Sequence, residues 1–504
     1  FINSLSMFAA KMGSDGIASH RPYVPNVTDN ADCMRNGKSP GNAAVGYPIL
    51  GCIYMDPHPL QSVDDTGHNY FLSQNPYVLN SYAGFGEANL SIFKDLKLTT
   101  GLRWTEDRKH FPVIPSWLLA ANSYGYPVVK DIDQQWDELT GRAVINWTPK
   151  FSFTDQSLFF ASYSHGYKAG GANPPRPVTI GPGNVGVDTG ILSATHPETF
   201  KPEFIDAFEL GTKNTLLDGS LTFNANAFYY NYENYQISEI VDRTAVNLNY
   251  DAHIKGAELE ATYEPLPGLK FNLSTGYEDA RMAQGDKAVD LMDRTAGNTD
   301  WIVVRPPPND PSDCIIPTYL FPTSRGSCTN VYTADNIANH IDPVTDLPYV
   351  LNPTTAAPTG TVIPGYIGFD PATAPNGGEG FYKDISHNQM PNAPPFTVSF
   401  GAQYSMPFTS DWAGTLRGDF YWQSDSFWRV FNDLDYDRLH GYKNFNLTLI
   451  LTNQAGWQVM LYDKNVFNTT AITGAFLNSD DSGLTTNVFL TDPKLIGIRV
   501  TKNW

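Results

Sequence analysis

Apolar and polar positions alternate along this chain with the two-residue period of a β-strand, in one long segment after another. From Ser220 to Glu233, Leu221, Phe223, Ala225, Ala227 and Tyr229 fall on one face, and Ser220, Thr222, Asn224 and Asn226 on the other. Lys443 to Asn453 repeats the pattern, with Phe445, Leu447, Leu449 and Leu451 against Asn444, Asn446, Thr448 and Thr452. Lys97 to Thr105 sets Leu98, Thr100, Leu102 and Trp104 against Lys97, Thr99, Gly101 and Arg103. In Gly256 to Glu264, Ala257, Leu259, Ala261 and Tyr263 alternate with Glu258, Glu260, Thr262 and Glu264. A charge near the middle of a bilayer costs roughly 2–4 kcal/mol when basic and somewhat less when acidic, so these carboxylates belong in a wet interior. Long strands with one apolar and one polar face predict an all-β fold: a transmembrane antiparallel β-barrel, with lipid outside and water inside.

The connections alternate as well. Short turns are predicted at Lys94-Asp95, Asp218-Gly219, Pro265-Leu266-Pro267-Gly268, Ser410-Asp411 and Gln454-Ala455-Gly456. Long loops are predicted at Lys109 to Gln134, Gly170 to Lys201, Ala283 to Met390, Val430 to His440 and Asn468 to Asn487. Counting from Leu79 to Trp504 gives about thirteen strands, the first and last running toward the short-turn side, which is periplasmic in barrels of this kind. An odd number cannot close a barrel whose two ends lie on one side. The expectation is therefore that residues 79–504 are the C-terminal part of a barrel, whose remaining strands precede Phe1 or come from a separate chain. Residues 1–78 read as a long extracellular loop region, with the end of an earlier strand at Phe1 to Lys11.

Composition narrows the classes. Hydrophobic residues are 41% and mean hydropathy is -0.30, and no run of eighteen apolar residues is available for a spanning helix. Aromatic residues reach 13%, with 27 Tyr, 29 Phe and 10 Trp, enough for girdles at two membrane interfaces. The net charge of -19, with no basic cluster, excludes a nucleic-acid partner. The ten His show no metal spacing, and neither a nucleophile elbow nor an HExxH motif occurs, so no enzyme, metal or cofactor is expected. A soluble β-sandwich would have shorter strands, and a secreted β-rich enzyme would partition into the aqueous phase without detergent.

The smaller motifs carry little. Gly181 to Gly186 formally matches a dinucleotide fingerprint, but no strand feeds it and no helix follows. Asp433, Asp435 and Asp437 alternate in a predicted loop, yet Arg438 and Asn444 stand where a helix-loop-helix calcium site needs Gly and Glu, and a solvated acidic loop is the preferred reading. Asn89, Asn146, Asn272 and Asn446 match glycosylation sequons in mid-strand. Cys33, Cys52, Cys314 and Cys328 lie in segments assigned to the outside, and local pairing, Cys33 with Cys52 and Cys314 with Cys328, closes one loop each and contributes about 3 kcal/mol per bridge.

Several stretches carry a family resemblance: "SYAGFGEANLSIFKDLKLTTGLRWTEDRKHF", "LFFASYSHGYKAGG", "FKPEFIDAFELGTKNTLLDGSLTFNANAFYYNYENYQIS", "IKGAELEATYEPLPGLKFNLSTGY", "MPNAPPFTVSFGAQY" and "GWQVMLYDKNVFN". In order and spacing they resemble the barrel half of TonB-dependent outer-membrane receptors. Ile496, Ile498, Val500 and Trp504 share a face of the last segment, whose aromatic end resembles the signal read by barrel-assembly machinery; Lys502 departs from it but can snorkel. The resemblance implies a twenty-two-stranded barrel, so about nine further strands, and a plug domain that has no counterpart here. It also implies residence in the outer membrane of a Gram-negative bacterium and contact with outer-membrane lipid. Through the plug it implies coupling to the energy-transducing TonB protein.

The expected function is receptor and transporter for energy-coupled uptake of a scarce solute: a siderophore, a cobalamin, an oligosaccharide or a peptide. By alternation, Arg103, Glu258, Glu260, Arg417 and Tyr421 are candidate lumenal ligand contacts; Trp301, Trp428 and Arg429 are candidates in the loops. The alternative is a structural or interaction barrel in a larger cell-envelope complex, with a partner docking on the aromatic and Pro-rich loop 283–390.

Overall fold

The computed structural model describes residues 77–113, 130–174, 197–241, 244–304, 313–318, 350–351, 358–359, 374–478 and 484–503. Residues 1–76 of the predicted loop region 1–78 and Trp504 lie outside these residues, as do Cys33, Cys52, Cys328 and the glycine-rich 181–186, while Val78 already belongs to the first strand. Thirteen strands form one antiparallel sheet in chain order. They are β1 (Val78–Phe93), β2 (Leu96–Val113), β3 (Lys130–Trp147), β4 (Gln156–Lys168), β5 (Glu203–Leu216), β6 (Leu221–Val241) and β7 (Thr244–Leu266). The sheet continues with β8 (Leu269–Met282), β9 (Phe396–Pro407), β10 (Trp412–Gln423), β11 (Tyr442–Asn453), β12 (Trp457–Lys464) and β13 (Leu495–Lys502). Each strand pairs with its successor, and β1 and β13 are the two edges.

Four of the five predicted short turns fall between strands, and the turn predicted at Pro265 to Gly268 is shorter than expected, because β7 runs to Leu266. At the β7–β8 turn Gly268 has φ +83°, and a Cβ there would meet the Ser405 carbonyl oxygen at 2.2 Å, so only glycine fits without movement. The register then sorts the side chains. Leu102 stands opposite Gly86 and Gly141, Trp104 opposite Leu139, Phe208 opposite Tyr229 and Phe400 opposite Phe420, all on one face. Phe208, Leu210, Leu102 and Ile498 are exposed because none of the described residues covers that face. It is the lipid face of the predicted barrel.

Strand lengths differ from the prediction. β6 has 21 residues and β7 has 23, although about 9–11 suffice to cross a bilayer. The β6–β7 hairpin therefore projects above the membrane. Similarly, β2 runs to Val113 and β3 starts at Lys130, so the loop expected from Lys109 to Gln134 is partly strand. The cause is that alternation continues past the membrane: Val246, Leu248, Tyr250 and Ala252 remain buried on one face of β7.

That face carries a hydrophobic core outside the membrane. Val241 and Val246 to Ala252 on the hairpin pack with Ala280 and Met282 of β8, with Ala288, Leu291, Ile385, Met390 and Ala393 of the long loop, and with Val430. Leu477 and Leu484 of the last loop join from the side. In register, Leu248, Tyr250 and Ala252 continue the row of Ile254, Gly256, Glu258 and Glu260. The core thus lies on the lumenal side of the hairpin, and the loops fold inward as a cap at the mouth. The long loop is no bare excursion: Lys287–Val289 pairs with Tyr382–Asp384, and Trp301–Val304 with Cys314–Pro317.

Candidate functional site

The lumenal wall is built by the polar half of each alternation. Asn224 faces Glu260, which faces Ser274; Asn226 faces Glu258, which faces Gly276. Further along, Ser399 faces Tyr421, Gly401 faces Asp419 and Gln403 faces Arg417. All five lumenal candidates, Arg103, Glu258, Glu260, Arg417 and Tyr421, lie on this inner face. The structure does not gather them into one site. Arg103 stands apart on β2, its Nε donating to Thr105 Oγ1 at 3.0 Å and its guanidinium 5.8 Å from the Phe85 ring centroid.

Glu260 and Arg417 line the same shallow recess, together with Thr262, Asn272, Ser274 and Asp419. Arg417 is fixed there by Asp419, with Nε to Oδ2 at 2.9 Å and Nη2 to Oδ1 at 2.5 Å, while Nη1 donates to Gln403 Oε1 at 2.9 Å. Gly401 makes room beneath: a Cβ would lie 2.7 Å from Arg417 Nη2. The recess offers a carboxylate, amides and hydroxyls held by a rigid sheet. Nearer the mouth, the Tyr421 hydroxyl donates to Gln423 Oε1 at 2.9 Å, and its ring stands 5.9 Å from that of Tyr442.

In the cap, Arg429 ties two loops together. Its Nη1 donates to Asp290 Oδ1 and its Nε to Asp437 Oδ1, each at 2.6 Å, with side chains 10%, 3% and 0% exposed. Lys383 Nζ adds bonds to Asp290 Oδ2 at 3.0 Å and Asp293 Oδ2 at 2.7 Å. Burial opposes ionisation of Asp290, but Arg429 and Lys383 outweigh it and hold its carboxyl below the usual carboxylate range. Desolvation wins at Asp437, whose carboxyl is raised. Glu239, on the projecting part of β6, is pushed up to about 7 by burial. Asp437 is thus buried and paired, which corrects the picture of a solvated acidic loop; sequence alternation held no sign of its partner Arg429, eight residues earlier in the same loop.

Trp428 and Arg429 turn inward. The guanidinium lies 5.2 Å from the Trp428 ring and 5.1 Å from that of Phe431, and Trp428 Nε1 donates to the Tyr436 carbonyl at 2.9 Å. Trp301 packs edge-on against Phe381 at 5.8 Å beside Val304, Ile316 and Ala374. Cys314 is disulfide-bonded.

The family described as TonB dependent receptor-like, beta-barrel matches residues 33–337. The chain belongs to that family. No curated protein matches this family member by sequence. Among solved structures it is similar to the ferric yersiniabactin uptake receptor FyuA of Yersinia pestis, at 14% identity and TM-score 0.52, covering 84% of this chain and 45% of that one. It is also similar to the siderophore receptor PiuA of Acinetobacter baumannii, at 14% identity and TM-score 0.47, covering 84% and 43%. The likeness to FyuA shows the fold. This TonB-dependent receptor barrel spans less than half the length of either.

Proposed function

We propose that the chain supplies the C-terminal wall and mouth of an outer-membrane receptor for energy-coupled uptake of a scarce solute. The observation that carries this reading is the sheet itself: thirteen strands with an apolar outer face, a polar inner face and a cap of loops folded toward the lumen, in a member of a TonB-dependent receptor family. A water-lined passage narrowed by a cap suits selective capture from outside, followed by release on an energy input. In this reading Glu260, Arg417 and Tyr421 face the solute path and Arg103 lines it, while Trp428 and Arg429 brace the cap rather than touch solute. A plug domain transmits the pull of the energy-coupling protein, as the family implies. The named solved relatives are a ferric yersiniabactin receptor and a siderophore receptor, which makes ferric siderophores the first solutes to try.

The test is growth and uptake in a deletion strain with ferric siderophores, cobalamin, oligosaccharides and peptides offered in turn. Loss of uptake of one, restored by the intact gene, is the expected result; unchanged uptake of every solute would count against a receptor role.

A further inference from the structure

The last loop continues as strand. Ile472–Leu477 and Thr486–Leu490 form an antiparallel hairpin above β12 and β13, and Leu477 packs on the cap core, which sets the hairpin at the level of the cap. Its base is locked rather than hinged. Asn465 Nδ2 donates to the Thr469 and Asp492 carbonyls, each at 2.9 Å. Thr491 N donates to the Ala471 carbonyl and Lys494 N to Asn468 Oδ1, each at 3.0 Å. The hairpin therefore prolongs β12 and β13, with Thr486–Leu490 leading down into β13.

The two strands of the hairpin are unequally covered. Ile472–Leu477 lies beside Arg438–Leu439 of the neighbouring loop and sends Leu477 into the core. Thr486–Leu490 is exposed at every position and, among the described residues, pairs on one side only. By register Val488 shares the face of Ala475 and Leu477, while Phe489 shares the opposite face with Phe476, the two rings 5.9 Å apart. Val488, Phe489 and Leu490 are 48%, 56% and 55% exposed, so apolar surface is bare on both faces of one strand. Edge strands that face water are guarded against pairing by charges or prolines, and this one has neither. A lipid would cover one face alone. A neighbouring strand takes up the free row of N–H and C=O groups and shields both faces through its cross-strand side chains.

We propose that Thr486–Leu490 is a docking edge for the strand of the same receptor that closes on β13. That strand runs on beyond the membrane, antiparallel to Thr486–Leu490, and adds to the hairpin as its third strand, much as β6 and β7 stay paired above the membrane within this chain. The cap is thereby anchored on both halves of the barrel. The inference rests on the reading that further strands of the receptor complete the barrel at β13; what it adds is that the junction reaches into the cap.

The test places a photoreactive phenylalanine analogue at Phe489, Leu490 or Ile498 of the full-length receptor in native outer membranes and maps the crosslinked peptides by mass spectrometry. The probes at Phe489 and Leu490 are expected to attach to the strand that Ile498 reaches, at positions nearer its extracellular end. Phe489→Asp, which puts a charge on the edge, is expected to lower the Leu490 crosslink several-fold and to leave the Ile498 crosslink unchanged. Amides of Thr486–Leu490 that face away from the hairpin should exchange as slowly as those bonded within it. If Ile498 finds its strand while Phe489 and Leu490 attach to lipid, to a second copy, to another protein or to nothing, the docking edge is overturned and the barrel reading stands. If Ile498 finds no further strand, the barrel reading fails and the inference with it. An unchanged Leu490 crosslink in the Asp variant, or edge amides that exchange freely, would overturn the docking edge as well. Heat-modifiable mobility of each variant separates loss of the edge from loss of the barrel, and Phe489→Ser carries the test should the Asp variant not assemble.

Discussion

Arg429 shows what a side chain does when its partners are remote in sequence. It reads from the sequence as an exposed loop cation beside Trp428, a natural solute contact. In three dimensions Asp290 and Asp437 consume its guanidinium, which also lies over the rings of Trp428 and Phe431. Asp290 is invisible as a partner because it sits in the other loop. Breaking a buried pair strands the remaining charges, at about 3–5 kcal/mol. Arg429→Met is therefore expected to open the cap locally, seen as faster hydrogen exchange across 283–304 and 424–441 with the strands unaffected; unchanged protection there would show that the clamp does not hold the cap. A pH dependence follows from Glu239, which faces Arg429 and Asp290 and whose carboxyl burial raises to about 7. A group raised in the folded state stabilises it fully below its unfolded value and loses that contribution as pH climbs through the folded one. Cap protection, corrected for intrinsic exchange, is expected to be lower at pH 8 than at pH 5.5, by on the order of 3 kcal/mol at most. Asp290, held low, weakens only in acid below this window. Glu239→Gln should flatten the slope; a slope that persists would place the titration elsewhere.

At the scale of elements, strands and turns were legible because each is dictated locally. Lys443 to Asn453 is read almost to the residue, against an observed Tyr442–Asn453, since alternation and the Gln454-Ala455-Gly456 turn agree. The tips of β6 and β7 were not, because Val246, Leu248 and Tyr250 continue the same period while their role changes from lumenal wall to cap core. The turns differ in how much they tolerate. Gly268 and Gly219 both have positive φ, +83° and +84°, but a Cβ at Gly219 meets nothing within 4 Å while one at Gly268 meets backbone. Gly219→Ala is expected to cost about 1 kcal/mol of turn strain, and Gly268→Ala clearly more, because the β8–β9 edge must also shift. Urea unfolding of the assembled receptor in lipid measures both; equal costs would show that the Ser405 contact relaxes freely. Face matters in the same way along a strand. Leu210, outward and exposed, is expected to cost roughly 2–4 kcal/mol as Lys, while its lumenal neighbour Glu209 as Gln should leave insertion intact.

For the whole molecule, about thirteen strands were counted and the main sheet of the described residues has thirteen, yet the count matters less than the two edges it leaves. Val78–Phe93 is exposed at every position, and Ile496, Ile498 and Val500 of β13 are apolar and outward. These edges run through the hydrocarbon layer, where each unsatisfied N–H or C=O costs several kcal/mol, so neither strand is stable there without a partner. Direct pairing of β1 with β13 would be parallel, since both descend toward the short turns, and bacterial outer-membrane barrels close with an even number of antiparallel strands. An odd set of alternating strands needs an odd number more, and closure on about nine further strands satisfies this while giving the twenty-two expected of the family. The expected outcome is that cysteines placed at outward positions of β1 and β13, such as Ala88 and Ile498, do not crosslink to each other in the native membrane protein. Each should instead crosslink to a different strand outside these thirteen, found by mass spectrometry of the intact receptor. A direct Ala88-to-Ile498 crosslink in high yield would mean a thirteen-stranded closure and would overturn the topology on which the lumen, the cap and the lipid face are all assigned.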